Sequence, residues 1–316
     1  MEADSRGRID LESVGANLCK DLHELIETTF PDLQQNLNNV EYFKSRAILT
    51  PLNKTVTDVN REIVERLPGR HKKFRSIDRA TDTDCTAQYP VEWLTTIEES
   101  GVPPHKLRLK VGMPIMLMRN LVPSKGHCNG SRYIVQQFND KKRLSKRLIK
   151  VKPLHPIPGL ENEAFYIPRI RLKPKTSYGF QLERTHFPIR TAFCMTINKA
   201  QGQTLKDHAG VYLPNPVFGH GQLYVACSRV TKPENLSFYI TPTKYDTEEI
   251  TLNVVYPEVR TLAVGNTSEY FASKTRSRKT TKRKARKKSK PFTNHNVVCR
   301  KLLMPRGLKN KSGQNV

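Results

Sequence analysis

Residues 46–50 (RAILT) are a short apolar run that stops at Pro51, and Val56, Val59, Ile63 and Leu67 follow at spacings of three and four. Proline lacks the N–H that a ladder or helix needs, so this reads as a strand, a break and an amphipathic helix closing at Pro68–Gly69. Strand, short loop and helix make the building unit of a parallel α/β sheet. No other feature restricts the fold as much. Leu18, Leu22, Leu25 and Ile26 predict a second helix ended by Phe30–Pro31, after a leader over residues 1–15 that reads as frayed. GVYLP (210–214) and LSFYI (236–240) read as strands flanking an uncharged helix, HGQLYVACSR (220–229).

The middle of the chain has a different texture. Residues 70–86 are polar and read as a surface crossing, and Pro90 suits the first turn of a helix carrying Val91, Leu94 and Ile97, with Gly101 as its cap. Leu107, Leu109 and Val111 then alternate with Arg108 and Lys110. PIMLM (114–118), SRYIVQQF (131–138, after an Asn129–Gly130 turn), LIKV (148–151) and FYIPRIRL (165–172) read as further strands, with a basic hairpin tip at 139–147. Such a succession of short strands predicts a small β-barrel or meander. The simplest arrangement is one α/β domain interrupted by a β insert.

Charge is concentrated in two blocks. Of a net +25, residues 273–316 hold 16 Lys or Arg and no acid, and residues 105–152 hold 13 against a single Asp. Blocked positive charge points to a polyanion partner, nucleic acid first. The distal block has the composition of a disordered tail, and its KRKARKK (282–288) resembles a nuclear localisation signal, with a merely solubilising tail as the alternative. No run of 18 apolar residues exists, so no membrane span is expected, and the first 15 residues lack the apolar core of a signal peptide. The six cysteines are far apart and show no CxxC spacing, which argues against a disulfide framework or a zinc ribbon. His127–Cys128 has no second pair to complete a metal site.

Two strings carry chemistry. In HGQLYVACSR, helical spacing puts Gln222, Ala226 and Arg229 on one face, and Arg229 is the first charge after 21 uncharged residues. A permanently charged guanidinium so placed suits an arginine finger on a transferred phosphoryl group; the alternative is a solvated arginine capping a core helix. In TINKAQGQT (196–204), Gly202 fits a left-handed position, while Thr196, Asn198, Lys199 and Gln201 offer neutral donors and one cation. That mix suits phosphate and sugar, or an ordinary polar helix end. No GxxxxGK[ST] phosphate loop occurs in the sequence.

HGQLYVACSR resembles motif VI, and FPIRTAFCMTINKAQGQTL (187–205) motif V, of the petite-integration-frequency helicases and their Helitron-transposon relatives in superfamily 1. Residues 103–135 and 30–60 resemble the same family in the same order, so the likeness spans roughly residues 20–245. It implies a second RecA-like domain, a parallel sheet flanked by helices, with an inserted Src-homology-3-like β-barrel. The implied division is a leader and connecting helix (1–40), the first part of the RecA-like domain (41–104), the insert (105–186), the rest of the RecA-like domain (187–245) and a tail (246–316). By the same resemblance Arg229 is finger-like toward a γ-phosphate, Gly202 and Thr204 lie beside the nucleotide, and Thr196, Asn198 and Lys199 face single-stranded DNA. Asn198 stands where many superfamily 1 members have histidine. The phosphate loop and magnesium-binding acids have no counterpart here, so ATP and Mg2+ are expected only where a separately encoded N-terminal helicase domain supplies them. The expectation is the C-terminal motor half of a nuclear 5′-to-3′ DNA helicase without ATPase activity of its own. The rivals are a non-enzymatic DNA-binding transposon relic and a chromatin- or RNA-binding protein driven by its tail.

Overall fold

The computed structural model describes residues 7–256 apart from 82–88, 100, 140–147, 156–163, 175–179, 244–246 and 248. The basic hairpin tip beyond Asn139 and the tail from residue 257 lie outside the described residues. Five strands form an all-parallel sheet in the order Cys194–Thr196, Arg46–Thr50, His208–Leu213, Leu236–Ile240, Asn17–Leu18. The helix expected from Val56, Val59 and Ile63 runs Asn53–Arg66 and buries those residues with Val64 against the sheet. The helix Leu22–Thr29 covers the central strands beside it, burying Leu25 and Ile26. Gly210 permits that approach, since a Cβ there would collide with Thr29 Oγ1 and come within 3.2 Å of Leu25. The other face of the sheet packs Leu49, Val211 and Phe238 on Leu223 and Ala226.

Two terminal expectations are corrected. Leu18 is in the edge strand and not in the first helix, because Asp21 caps that helix by accepting the Glu24 N–H at 2.8 Å. The supposed frayed leader is ordered from residue 8. Arg8–Asp10 pairs antiparallel with Ile250–Leu252, and Ile9 and Leu11 are buried.

The short strands expected in the middle of the chain form antiparallel sheets. One sheet has the order Phe165–Ile167, Leu148–Pro153, Arg132–Asn139, Pro114–Leu117, Ile189–Thr191; another joins Ile170–Leu172, Gln181–His186 and Ile77–Thr81. FYIPRIRL is therefore two strands in two sheets, parted at Pro168, whose ring removes a ladder donor. The polar stretch 70–86 holds the strands Lys72–Arg75 and Ile77–Thr81 instead of a plain surface crossing; alternation of Phe74 and Asp78 inward hides in its polar composition. Val111 lies past its strand, exposed before the Gly112 turn. The helix at 220–229 is shorter than expected, Gln222–Cys227, and Arg229 lies just beyond it. Tyr133 is in the core and Phe138 packs on Phe74. The His127 ring stacks on Phe165 at 3.6 Å and its Nδ1 meets Tyr133 Oη at 2.9 Å, which gives that histidine a packing role. No helix among the described residues is long and apolar enough to cross a membrane.

Candidate nucleic-acid interface

Where the parallel sheet meets the antiparallel one, a cleft of about 650 Å³ opens beside the C-terminal ends of the Arg46–Thr50 and Cys194–Thr196 strands. Pro51 breaks the first of these strands, and the helix beginning at Asn53 sets Asn53 and Thr57 one turn apart on the cleft wall. Strand Ile189–Thr191 buries Ile189 and turns Arg190 the other way. Arg190 Nη1 donates to Asn53 Oδ1 at 3.1 Å and Nη2 to Thr57 Oγ1 at 3.3 Å. Both partners are neutral, and burial holds the guanidinium below its ordinary pKa.

The opposite lip comes from the segment after the Cys194–Thr196 strand. A 3-10 turn, Ile197–Lys199, buries Ile197 and leaves Asn198 and Lys199 exposed at the cleft. Lys199 Nζ donates to Asn129 Oδ1 at 2.9 Å, across to the turn that precedes Arg132–Asn139. Burial, then the neighbouring Arg190, lowers the Lys199 pKa. Among the described residues no carboxylate lies within ion-pair distance of either cation, although Glu98 and Glu99 line the far rim. Thr196, Asn198 and Lys199 thus line one cleft.

Gly202, Thr204 and Arg229 gather separately. Gly202 has φ +80° and open space around it, and Thr204 is exposed. Arg229 Nε donates to Val225 O (2.8 Å), Nη1 to Gln203 O (3.0 Å) and Ala200 O (3.4 Å), and Nη2 to Ser228 Oγ (2.8 Å). Its backbone carbonyl accepts the Leu205 N–H at 2.8 Å. The guanidinium therefore binds the 200–203 segment to the helix end. A nucleotide would find here one cation and an open backbone, but no phosphate cradle and no group of carboxylates for magnesium among the described residues. These residues alone do not fit ATP and Mg2+.

Sequence reasoning passed over Arg190, Asn53, Thr57 and Asn129. One signal was available for Arg190: it is the sole charge between Phe187 and Lys199 in an otherwise uncharged string. The other three become cleft residues only through strand pairing.

Residues 92–138 match the family model for the DNA helicase Pif1 2B domain. Over 179 residues the chain is 32% identical to the ATP-dependent DNA helicase PIF1 of Homo sapiens, covering 56% of this chain and 24% of that protein. It is 25% identical over 229 residues to the ATP-dependent DNA helicase Pif1 of Campylobacter jejuni, covering 70% and 48%. A crystal structure of the Pif1 helicase from Candida albicans superimposes with a TM-score of 0.49 at 20% identity, covering 77% of this chain and 56% of that one. The chain spans about a quarter of the human relative and about half of the bacterial one. On the matched 2B segment and the sequence shared around it, the chain contains a Pif1-family DNA helicase domain and is similar to Pif1 helicases over part of its length.

Proposed function

We propose that the chain is the second RecA-like motor domain of an ATP-dependent 5′-to-3′ DNA helicase, with a Src-homology-3-like insert, and that single-stranded DNA runs through the cleft. The observation that carries this reading is the pairing of Arg190 and Lys199 with neutral partners across one cleft: both can exchange Asn53, Thr57 and Asn129 for phosphate oxygens without breaking an ion pair. Thr196 and Asn198 add neutral donors beside them. Gly202, Thr204 and Arg229 would face the nucleotide, and a separately encoded domain would supply the phosphate loop and the magnesium ligands. Arg229 acts as a finger only by giving up carbonyl acceptors it now holds. That favours, as the second reading, a DNA-binding relic in which Arg229 is purely structural. The basic tail would serve nuclear import.

Fluorescence anisotropy on the full chain tests the cleft. In wild type, single-stranded DNA affinity falls with salt at a slope near −0.7 per neutralised phosphate. Lys199→Ala costs about 1 kcal/mol, Arg190→Ala about 2 kcal/mol, and each lowers the slope. If the double variant binds as wild type does, the cleft is not the track and the tail-driven reading replaces this one.

A further inference from the structure

The helix Asn53–Arg66 begins at the cleft and ends at a different basic surface. At 1.5 Å per residue its ends stand about 20 Å apart. At the far end the antiparallel strands Lys72–Arg75 and Lys106–Leu109 form a two-stranded ribbon, fastened to the helix by Arg108–Glu65 at 2.6 Å and by Lys110 Nζ donating to Leu67 O. Along the ribbon's inner row Phe74, Leu107 and Leu109 are buried, with Lys72 laid over the Phe74 ring at the row's end. Its outer row is cationic. Lys73 stands directly opposite Arg108, and Arg75 directly opposite Lys106.

Like charges facing each other across a ladder destabilise it, with side chains about 5 Å apart across strands and roughly 7 Å apart along them. Among the described residues, Glu65 is the one carboxylate ion-paired with any of these four. Arg169 Nη1 donates to Arg75 O at 2.8 Å and lengthens the row. The neighbouring His71 is held below its ordinary pKa by burial, then by Lys73, Arg108 and Lys110, as a positive potential requires. The outer row has no aromatic ring, since Phe74 faces inward.

We propose that the outer face of this ribbon binds the phosphate backbone of duplex nucleic acid, as a sequence-independent site separate from the cleft. Four cations locked by a ladder present a fixed positive lattice, which a polyanion neutralises. Single-strand sites add stacking rings to their charge; a bare cationic face suits a duplex, whose bases are already stacked. The site does not depend on the reading of the cleft.

Lysine acetylation of the full chain, read by mass spectrometry, localises the contact despite the basic tail. A duplex of about 20 base pairs at low salt should slow labelling of Lys73 and Lys106 roughly ten-fold, leave the distant exposed Lys20 unchanged, and do so equally in the Lys199→Ala variant. Unchanged labelling of Lys73 and Lys106 under saturating duplex overturns the proposal. Stronger protection by single strands, by phosphatidylserine vesicles or by polyglutamate overturns the duplex assignment. The full-chain variant Lys73→Gln/Lys106→Gln should lower the duplex salt slope by about 2, at about 0.9 per phosphate contact. Because it relieves like-charge repulsion, its Tm should stay level or rise. An unchanged slope counts against the site.

Discussion

Asn60 clamps Cys194. Its Nδ2 donates to the Cys194 carbonyl at 2.8 Å, and its Oδ1 accepts the Cys194 N–H at 3.1 Å and the Phe193 N–H at 3.0 Å. A helix side chain therefore gives the edge strand the hydrogen bonds that a neighbouring strand would give on that side. Both residues are buried, so water cannot replace either partner.

Asn60→Leu should accordingly destabilise the fold by about 3 kcal/mol, because each buried polar group left unpaired costs about 1–3 kcal/mol. Urea denaturation measures it. A loss below about 1 kcal/mol would mean the edge strand re-pairs by itself.

Arg184 and Asp78 form a buried two-pronged ion pair, Nε to Oδ1 at 3.0 Å and Nη2 to Oδ2 at 2.9 Å. Arg184 also donates to Pro103 O and Leu94 O, tying the Val91–Thr96 helix and the loop after it to the Gln181–His186 strand. Asp78→Ala strands a buried cation and should cost about 3–5 kcal/mol, whereas the apolar pair Asp78→Leu/Arg184→Met should recover much of that loss. Equal loss in the single and double variants would show that the carbonyl bonds, and not the ion pair, dominate.

His186 is fully buried with neither ring nitrogen hydrogen-bonded, and its pKa is pushed down to about 3 by burial, then by Arg169, Arg184 and His105. The unfolded chain binds this proton near pH 6.5, so below that value protons favour unfolding. Stability is full above about 6.5 and drains as pH falls toward 3, by about 2 kcal/mol at pH 5. His208, lowered to about 4, acts in the same direction. Tm measured between pH 7 and 5 should fall less in His186→Leu than in wild type. Parallel pH profiles would exclude this histidine as a source of acid lability.

The full chain should not hydrolyse ATP above background, because Arg229 can offer charge to a phosphoryl group but nothing beside it among the described residues cradles the β- and γ-phosphates. A steady turnover that Arg229→Ala abolishes would refute this. Arg229→Ala should also lower Tm, since the 200–203 carbonyls lose their donor. Arg229→Lys should restore little, as an ammonium cannot span Val225, Gln203 and Ser228 together.

The amino-acid sequence by itself determined the local grammar. Pro51 ends a strand, the Val56–Ile63 spacing makes a helix, Gly202 takes φ +80°, and Asn129–Gly130 turns the chain. These depend on covalent neighbours, whose periodicity and backbone freedom are written in the chain. The motif strings likewise singled out Thr196, Asn198 and Lys199, which the structure sets along one cleft. Tertiary structure alone decided what those elements meet. Lys73 faces Arg108 across 34 intervening positions by strand register, and Arg190 reaches Asn53 because Ile189–Thr191 joins the antiparallel sheet while Asn53 follows a parallel strand. Arg229 reads as a free charge after an uncharged run, yet it folds back on the carbonyls of residues 200 and 203. A guanidinium takes whichever acceptors packing brings within about 3 Å, and sequence spacing does not encode that distance.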